Sequence, residues 1–109
     1  MKMKNIKTIQ GAKKFFRILA RKNDYNYILS KTCEELTELQ EVLLKMMNKK
    51  GENKPPRQNL IEELGDVEIR LYNLKKRLKI TQKDLNDRKI YKANKFIGYF
   101  NGGKYRKNI

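Results

Sequence analysis

The chain has 109 residues, 27 Lys or Arg against 12 Asp or Glu, a single cysteine and no histidine. That length gives one domain near the lower limit for independent stability, so a partner subunit is expected. Without histidine every catalytic triad that uses it is excluded, and Cys33 alone forms no internal disulfide. The net charge of +15 is unevenly placed: residues 1–22 hold eight basic side chains and residues 88–109 hold seven, with no acid in either segment. The middle is neutral. A positive field at both ends suits a polyanion such as a triphosphate or a nucleic acid, although solvated lysine explains the same composition equally well. No run of about 18 apolar residues suggests a membrane span, and no signal-peptide core is visible, so the expected location is cytoplasmic. Lys, Asn, Ile and Tyr supply 47 residues, whose AT-rich codons point to a low-GC bacterium or its phage.

Helical periodicity runs from about Gly11 to Tyr99 with no convincing strand. A basic N-terminal segment, residues 1–24, carries a short helix over about 10–22 that stops near Asn23-Asp24. The main helical domain, residues 25–100, opens with a long helix from about Tyr25 to Lys49, on which Ile28, Leu36, Leu39, Leu43, Met46 and Met47 form an apolar stripe. Gly51 to Pro56 break the pattern, and Pro55-Pro56 suit a third helix starting near Arg57 or Gln58 and running to about Lys79. Its stripe is Leu60, Leu64, Val67, Leu71, Leu74 and Leu78. Thr81 followed three residues later by Asp84 marks the start of a fourth helix over about 82–98. Asn101-Gly102-Gly103 opens a basic tail, residues 101–109, expected to be poorly ordered.

Two acidic runs stand out in this basic chain. Glu34-Glu35-Leu36-Thr37-Glu38 and Glu62-Glu63-Leu64-Gly65-Asp66 lie 28 positions apart and, with Glu41, hold seven of the twelve acids. Carboxylates held about 5 Å apart repel by roughly 3 kcal/mol per pair at an effective dielectric near 20, and a divalent cation with oxygen ligands relieves that repulsion. At about 100° per residue the second helix's stripe centres about 170° from Glu34, with Glu35 at about 100° and Glu38 at about 40°. On the third helix Glu63 and Asp66 take the same offsets from Glu62. Each helix thus places an acid pair at i and i+3 on the shoulder of its apolar face, and antiparallel packing brings four carboxylates to one edge. A solvated charged face explains one such helix, with Lys31 and Lys45 as partners, but has no reason to repeat type, spacing and orientation on a second. Gly65, a costly residue in a helix interior, suggests that something approaches the backbone there.

These motifs resemble those of the all-α nucleoside triphosphate pyrophosphohydrolases, the MazG-like branch in particular. That family shows E-E-x-x-E followed by E-x-x-D, supplied here by Glu34 to Glu38 and by Glu63 to Asp66, and Lys31 fits a K-x-x-E-E lead-in. The resemblance covers about residues 25–97. It implies a helical bundle in which two long antiparallel helices carry the acidic motifs and oligomerisation, as a homodimer or homotetramer, completes the fold. It implies Mg²⁺, with Mn²⁺ as a substitute, on Glu35, Glu38, Glu63 and Asp66, with Glu34 and Glu62 as supporting acids, and hydrolysis of a nucleoside triphosphate to monophosphate and pyrophosphate. The family's last helix often carries K-x-x-x-N-x-x-R toward substrate phosphates. Lys89 and Asn94 match it loosely, Ile97 stands where the arginine is expected, and Lys92 or Lys95 supply point charges instead.

The alternative is a non-enzymatic basic helical accessory protein that binds nucleic acid through its ends, less favoured because central acids repel phosphate unless metal-loaded. Phosphoribosyl-ATP pyrophosphohydrolase is a related third option with the same metal logic. Cys33 is expected to be a buried structural thiol.

Overall fold

The computed structural model describes residues 4–48 and 57–102. Among them are four helices and no strand: α1 (Ile9–Lys22), α2 (Tyr25–Asn48), α3 (Arg57–Leu78) and α4 (Gln82–Asn101). The Gly51–Pro56 break and the tail from residue 103 lie outside the described residues. No described helix is long and apolar enough to cross a membrane.

Local chemistry sets the helix ends. Thr8 caps α1, its hydroxyl accepting from the Gly11 N–H at 3.0 Å, and the Asp24 carboxylate accepts from the Asn26 N–H at 3.0 Å where α2 begins. Thr81 and Asp84 form a reciprocal capping box at α4, as their spacing predicted. α3 stops at Lys79, whose φ of 57° is left-handed and strained for a side chain with a Cβ. The chain divides into two compact units at this point, one up to Lys79 and one from Ile80 onward.

In the first unit α3 packs against both α1 and α2. The core is small: Ala20, Ile28 and Val67 are the buried apolar residues, joined by two buried polar ones, Thr32 and Asn73. Thr32 returns its hydroxyl to the Ile28 carbonyl at 2.7 Å. Phe16 of α1 meets the edge of the Tyr72 ring on α3 at 6.5 Å, and Arg17 reaches the Tyr72 hydroxyl at 3.5 Å. The second unit is α4 with its flanking residues. It buries none of its side chains and is supported by its capping box and the Lys83–Asp87 pair at 2.8 Å.

The apolar stripes divide into inward and outward halves. On α3, Leu60, Val67 and Leu74 turn inward, whereas Leu64, Leu71 and Leu78 are exposed. On α2, Ile28, Leu39 and Met46 turn inward, and Leu36, Leu43 and Met47 are exposed. Each stripe spans two rows, at heptad spacing on α3, and packing within this unit covers only one of them. Cys33 is also exposed, because the turn of α2 that brings Ile28 and Thr32 inward carries Cys33 to the opposite side; the expectation of a buried thiol is corrected.

One side chain ties α1 to α3. Arg77 Nη1 donates to the carbonyls of Ala20 (3.2 Å) and Asn23 (2.6 Å), the unpaired C-terminal end of α1, while its guanidinium lies 5.8 Å from the Tyr25 ring centre. Charge-assisted bonds of this kind contribute roughly 1.5–3 kcal/mol. Urea unfolding of Arg77→Ala is expected to show a loss of that size, of which Arg77→Lys restores only part because lysine lacks the planar fork.

Candidate metal centre

The inward turn of α2 and α3 carries acids with it. Glu35 and Glu63 are half-buried while their neighbours Leu36 and Leu64 face out, so these acids sit on the packed side of each helix and not on its shoulder. One carboxylate oxygen each from Glu35, Glu63 and Asp66 lies within 4.8 Å of the others. Asp66 is the exposed member. The Oε2 atoms of Glu35 and Glu63 are both buried and have no hydrogen-bond partner. The ion pairs among the described residues are Lys31–Glu34 and Lys83–Asp87, so no ammonium or guanidinium of the described residues lies within 4 Å of this set.

The electrostatics follow from that geometry. Burial, first, and then the charges of Glu38 and Asp66 and the neighbouring Glu38 side chain raise the Glu35 pKa above 4.5, and Arg70 opposes the rise. Glu63 is raised in the same direction, by desolvation before the repulsion of Glu38, Asp66, Glu62 and Glu41. Carboxylates that resist ionisation in this way bind a divalent cation gladly, since the ion supplies the missing positive charge and fills the open lone pairs.

The other expected site residues are placed as follows. Glu38 is half-buried beside Glu35 but outside the three-acid set. Glu34 is exposed and holds Lys31 at 3.1 Å, and the Lys31 ammonium also lies 5.7 Å from the Tyr27 ring centre. Glu62 is exposed. Lys89, Lys92, Asn94 and Lys95 belong to α4 in the second unit. There Lys89 and Asn94 are exposed, Lys92 lies 5.0 Å from the Phe96 ring centre and Lys95 lies 5.8 Å from that of Tyr99. A Cβ built on Gly65 meets no atom within 4 Å, so nothing in this unit makes the close approach its position suggested.

Residues that the motifs did not reveal complete the site. A cavity of about 290 Å³ opens beside the acids, lined by Glu35 of α2, by Phe16 and Leu19 of α1, and by Asp66, Ile69, Arg70 and Asn73 of α3. On α3 the polar members follow Glu63 at i+3, i+7 and i+10, one helical face that was visible in the spacing of Glu63, Asp66, Arg70 and Asn73. The chain matches no protein-family model, no curated protein and no solved structure.

A pH dependence follows. For a carboxylate whose pKa is raised on folding, the penalty is absent below pH 4.5, where folded and unfolded forms are both protonated, and grows as pH rises through the raised value. Metal-free Glu35→Gln and Glu63→Gln are therefore expected to melt above the wild type at neutral pH, with the difference closing as pH falls toward 4.5. Thermal melts across that range check it, and variants that melt below the wild type at neutral pH contradict it.

Proposed function

We propose that the protein is a metal-dependent nucleotide pyrophosphohydrolase of the MazG-like kind, converting a nucleoside triphosphate to monophosphate and pyrophosphate. One observation carries the reading. Two buried, unpartnered glutamate oxygens and an exposed aspartate come within 4.8 Å of each other across two helices, at positions of the paired E-E-x-x-E and E-x-x-D motifs. Such an arrangement weakens the fold without a ligand, because unpaired buried carboxylate oxygens are destabilising.

The donor set fits Mg²⁺ or Mn²⁺: hard carboxylate oxygens, no thiolate or imidazole, and an open exposed side at Asp66. Glu35, Glu63 and Asp66 would hold the ion, with Glu38 as a further ligand or proton acceptor next to Glu35. When bound, such an ion neutralises phosphate charge and lowers the pKa of water. The chain's own contribution is orientation. Arg70, on the cavity wall with no ion pair within 4 Å among the described residues, offers a planar fork to phosphate oxygens. It supplies the arginine that Ile97 fails to provide on α4. A nucleic-acid-binding role remains the second reading, supported by the basic ends, and phosphoribosyl-ATP shares the triphosphate chemistry as a substrate.

The outward rows support a homo-oligomer. Leu36, Leu43 and Met47 on α2 and Leu64, Leu71 and Leu78 on α3 are between 39% and 74% exposed. Full burial of one such side chain contributes roughly 1.5–3 kcal/mol, so a second copy that covers these rows adds more than the small core of one chain.

Calorimetric titration with Mn²⁺ is expected to show binding to the wild type and a fall of at least about tenfold in Glu63→Gln. Anion-exchange analysis of reactions with Mg²⁺ should show monophosphate and pyrophosphate; diphosphate as the main product would overturn the reading. Sedimentation should give at least twice the chain mass of 13.1 kDa, and Leu64→Glu with Leu71→Glu should shift it to the monomer. A wild type that is already monomeric at micromolar concentration contradicts the oligomer.

A further inference from the structure

We infer that the cavity between α1 and α3 is the seat of the nucleoside, and that Asn73 is the residue that pairs with it. This rests on the nucleotide reading above and goes beyond it, since neither motif includes Asn73 or the apolar residues Phe16, Leu19 and Ile69. Asn73 is only 2% exposed, lines the cavity, and leaves its Oδ1 buried without a hydrogen-bond partner. Asparagine favours neither a helix interior nor burial, and a buried amide oxygen with nothing to accept from is destabilising. An unsatisfied acceptor on a residue that lines a cavity calls for a donor brought in from outside.

The cavity specifies what kind of molecule brings it. Phe16, Leu19 and Ile69 give apolar contact on one side, and Phe16 offers an aromatic surface. Glu35, Asp66 and Arg70 make the other side the charged, metal-binding end. A ligand that fits both is apolar and flat at one end, carries N–H or O–H donors on that part, and is polyanionic at the other, which is the chemistry of a nucleoside polyphosphate. The volume of about 290 Å³ is at the small end for ligand sites, suited to one nucleoside with its phosphates running out along the acids. A site built around a hydrogen bond to its ligand discriminates by much more than an apolar slot does. Asn73 is thus a specificity-determining residue.

A buried asparagine also serves in some helix pairs to fix register alone. The two roles separate under Asn73→Leu, which has similar volume and removes the open acceptor. The probes are uncleavable α,β-imido nucleoside triphosphates carrying each common base, with ribose and with deoxyribose, and inorganic pyrophosphate, all titrated calorimetrically in Mg²⁺. Asn73→Leu is expected to melt at or above the wild-type temperature and to bind the preferred nucleotide on the order of tenfold or more weakly, with pyrophosphate affinity little changed. Leu19→Phe fills the cavity from α1 and should produce the same selective loss, which keeps the question decidable if Asn73→Leu does not fold. Equal nucleotide affinity in the wild type and the folded variant, or a wild type that binds nucleotide no better than pyrophosphate, overturns the inference. Triphosphate cleavage with no dependence on Asn73 or Leu19 leaves the pyrophosphohydrolase reading standing and removes this one. Asn73-dependent nucleotide binding without cleavage does the reverse.

Discussion

The first unit is organised around a repulsion among carboxylates that Arg70 opposes only in part. Glu35 and Glu63 are carried inward on facing helices, next to Asp66, with their Oε2 atoms buried and unpartnered. Among the described residues no opposite charge pairs with them within 4 Å, and the surplus of +15 lies at the two ends. Carboxylates held this close repel one another, and burial of two of their oxygens strengthens that repulsion. The raised pKa values of both glutamates are the local expression of that conflict. Such strain persists only where surrounding packing over-determines it, and it is characteristic of sites arranged for a ligand.

The leucine rows express the same rotation of the helices. Turning Glu35 and Glu63 toward the packed side leaves Leu36 and Leu64, their immediate neighbours, about 100° away and exposed. A chain optimised only for its own core would rotate the other way, burying leucine and solvating the acids. That it does not leaves the outward rows uncovered within this unit, and Leu64, Leu71 and Leu78 keep the heptad spacing of a helix-to-helix contact. Acid burial and apolar exposure are therefore one geometric choice, and the proposed metal and the proposed second subunit would account for its two sides together.

Local features were legible in the sequence. Thr81 and Asp84 meet as a capping box because that geometry involves four consecutive residues and no distant partner. The four helices appear close to their expected spans, and Glu35, Glu63 and Asp66 converge from motifs that are far apart in sequence. What the pattern did not reveal is which half of each stripe turns inward. Leu60, Leu64, Val67, Leu71, Leu74 and Leu78 alternate at four and three residues, and that spacing is the same whether Leu60 or Leu64 faces the neighbour. The same ambiguity hid the exposure of Cys33. Arg77 and Asn73 were missed for a different reason: a polar residue reads as solvated until its burial is known, and both derive their roles from α1, more than fifty residues away.

The polar face of α3 connects these observations. Glu63, Asp66, Arg70 and Asn73 descend one side of a single helix, from the packed acids, past a guanidinium, to an open amide at the cavity wall. A rigid helix fixes the spacing between these groups without any loop having to be ordered, and rigid spacing is what positioning a reacting phosphate relative to its base requires. The gradient also has a direction. Charge is concentrated where Asp66 is exposed, and polarity falls toward Phe16 and Leu19, where a heteroaromatic ring gains most from leaving water. On the proposed reading, the arrangement suits a molecule that is itself graded from polyanion to ring. A simple anion would use only the Arg70 end, and an apolar ligand would leave the Glu35 and Glu63 oxygens as unsatisfied as they are without it.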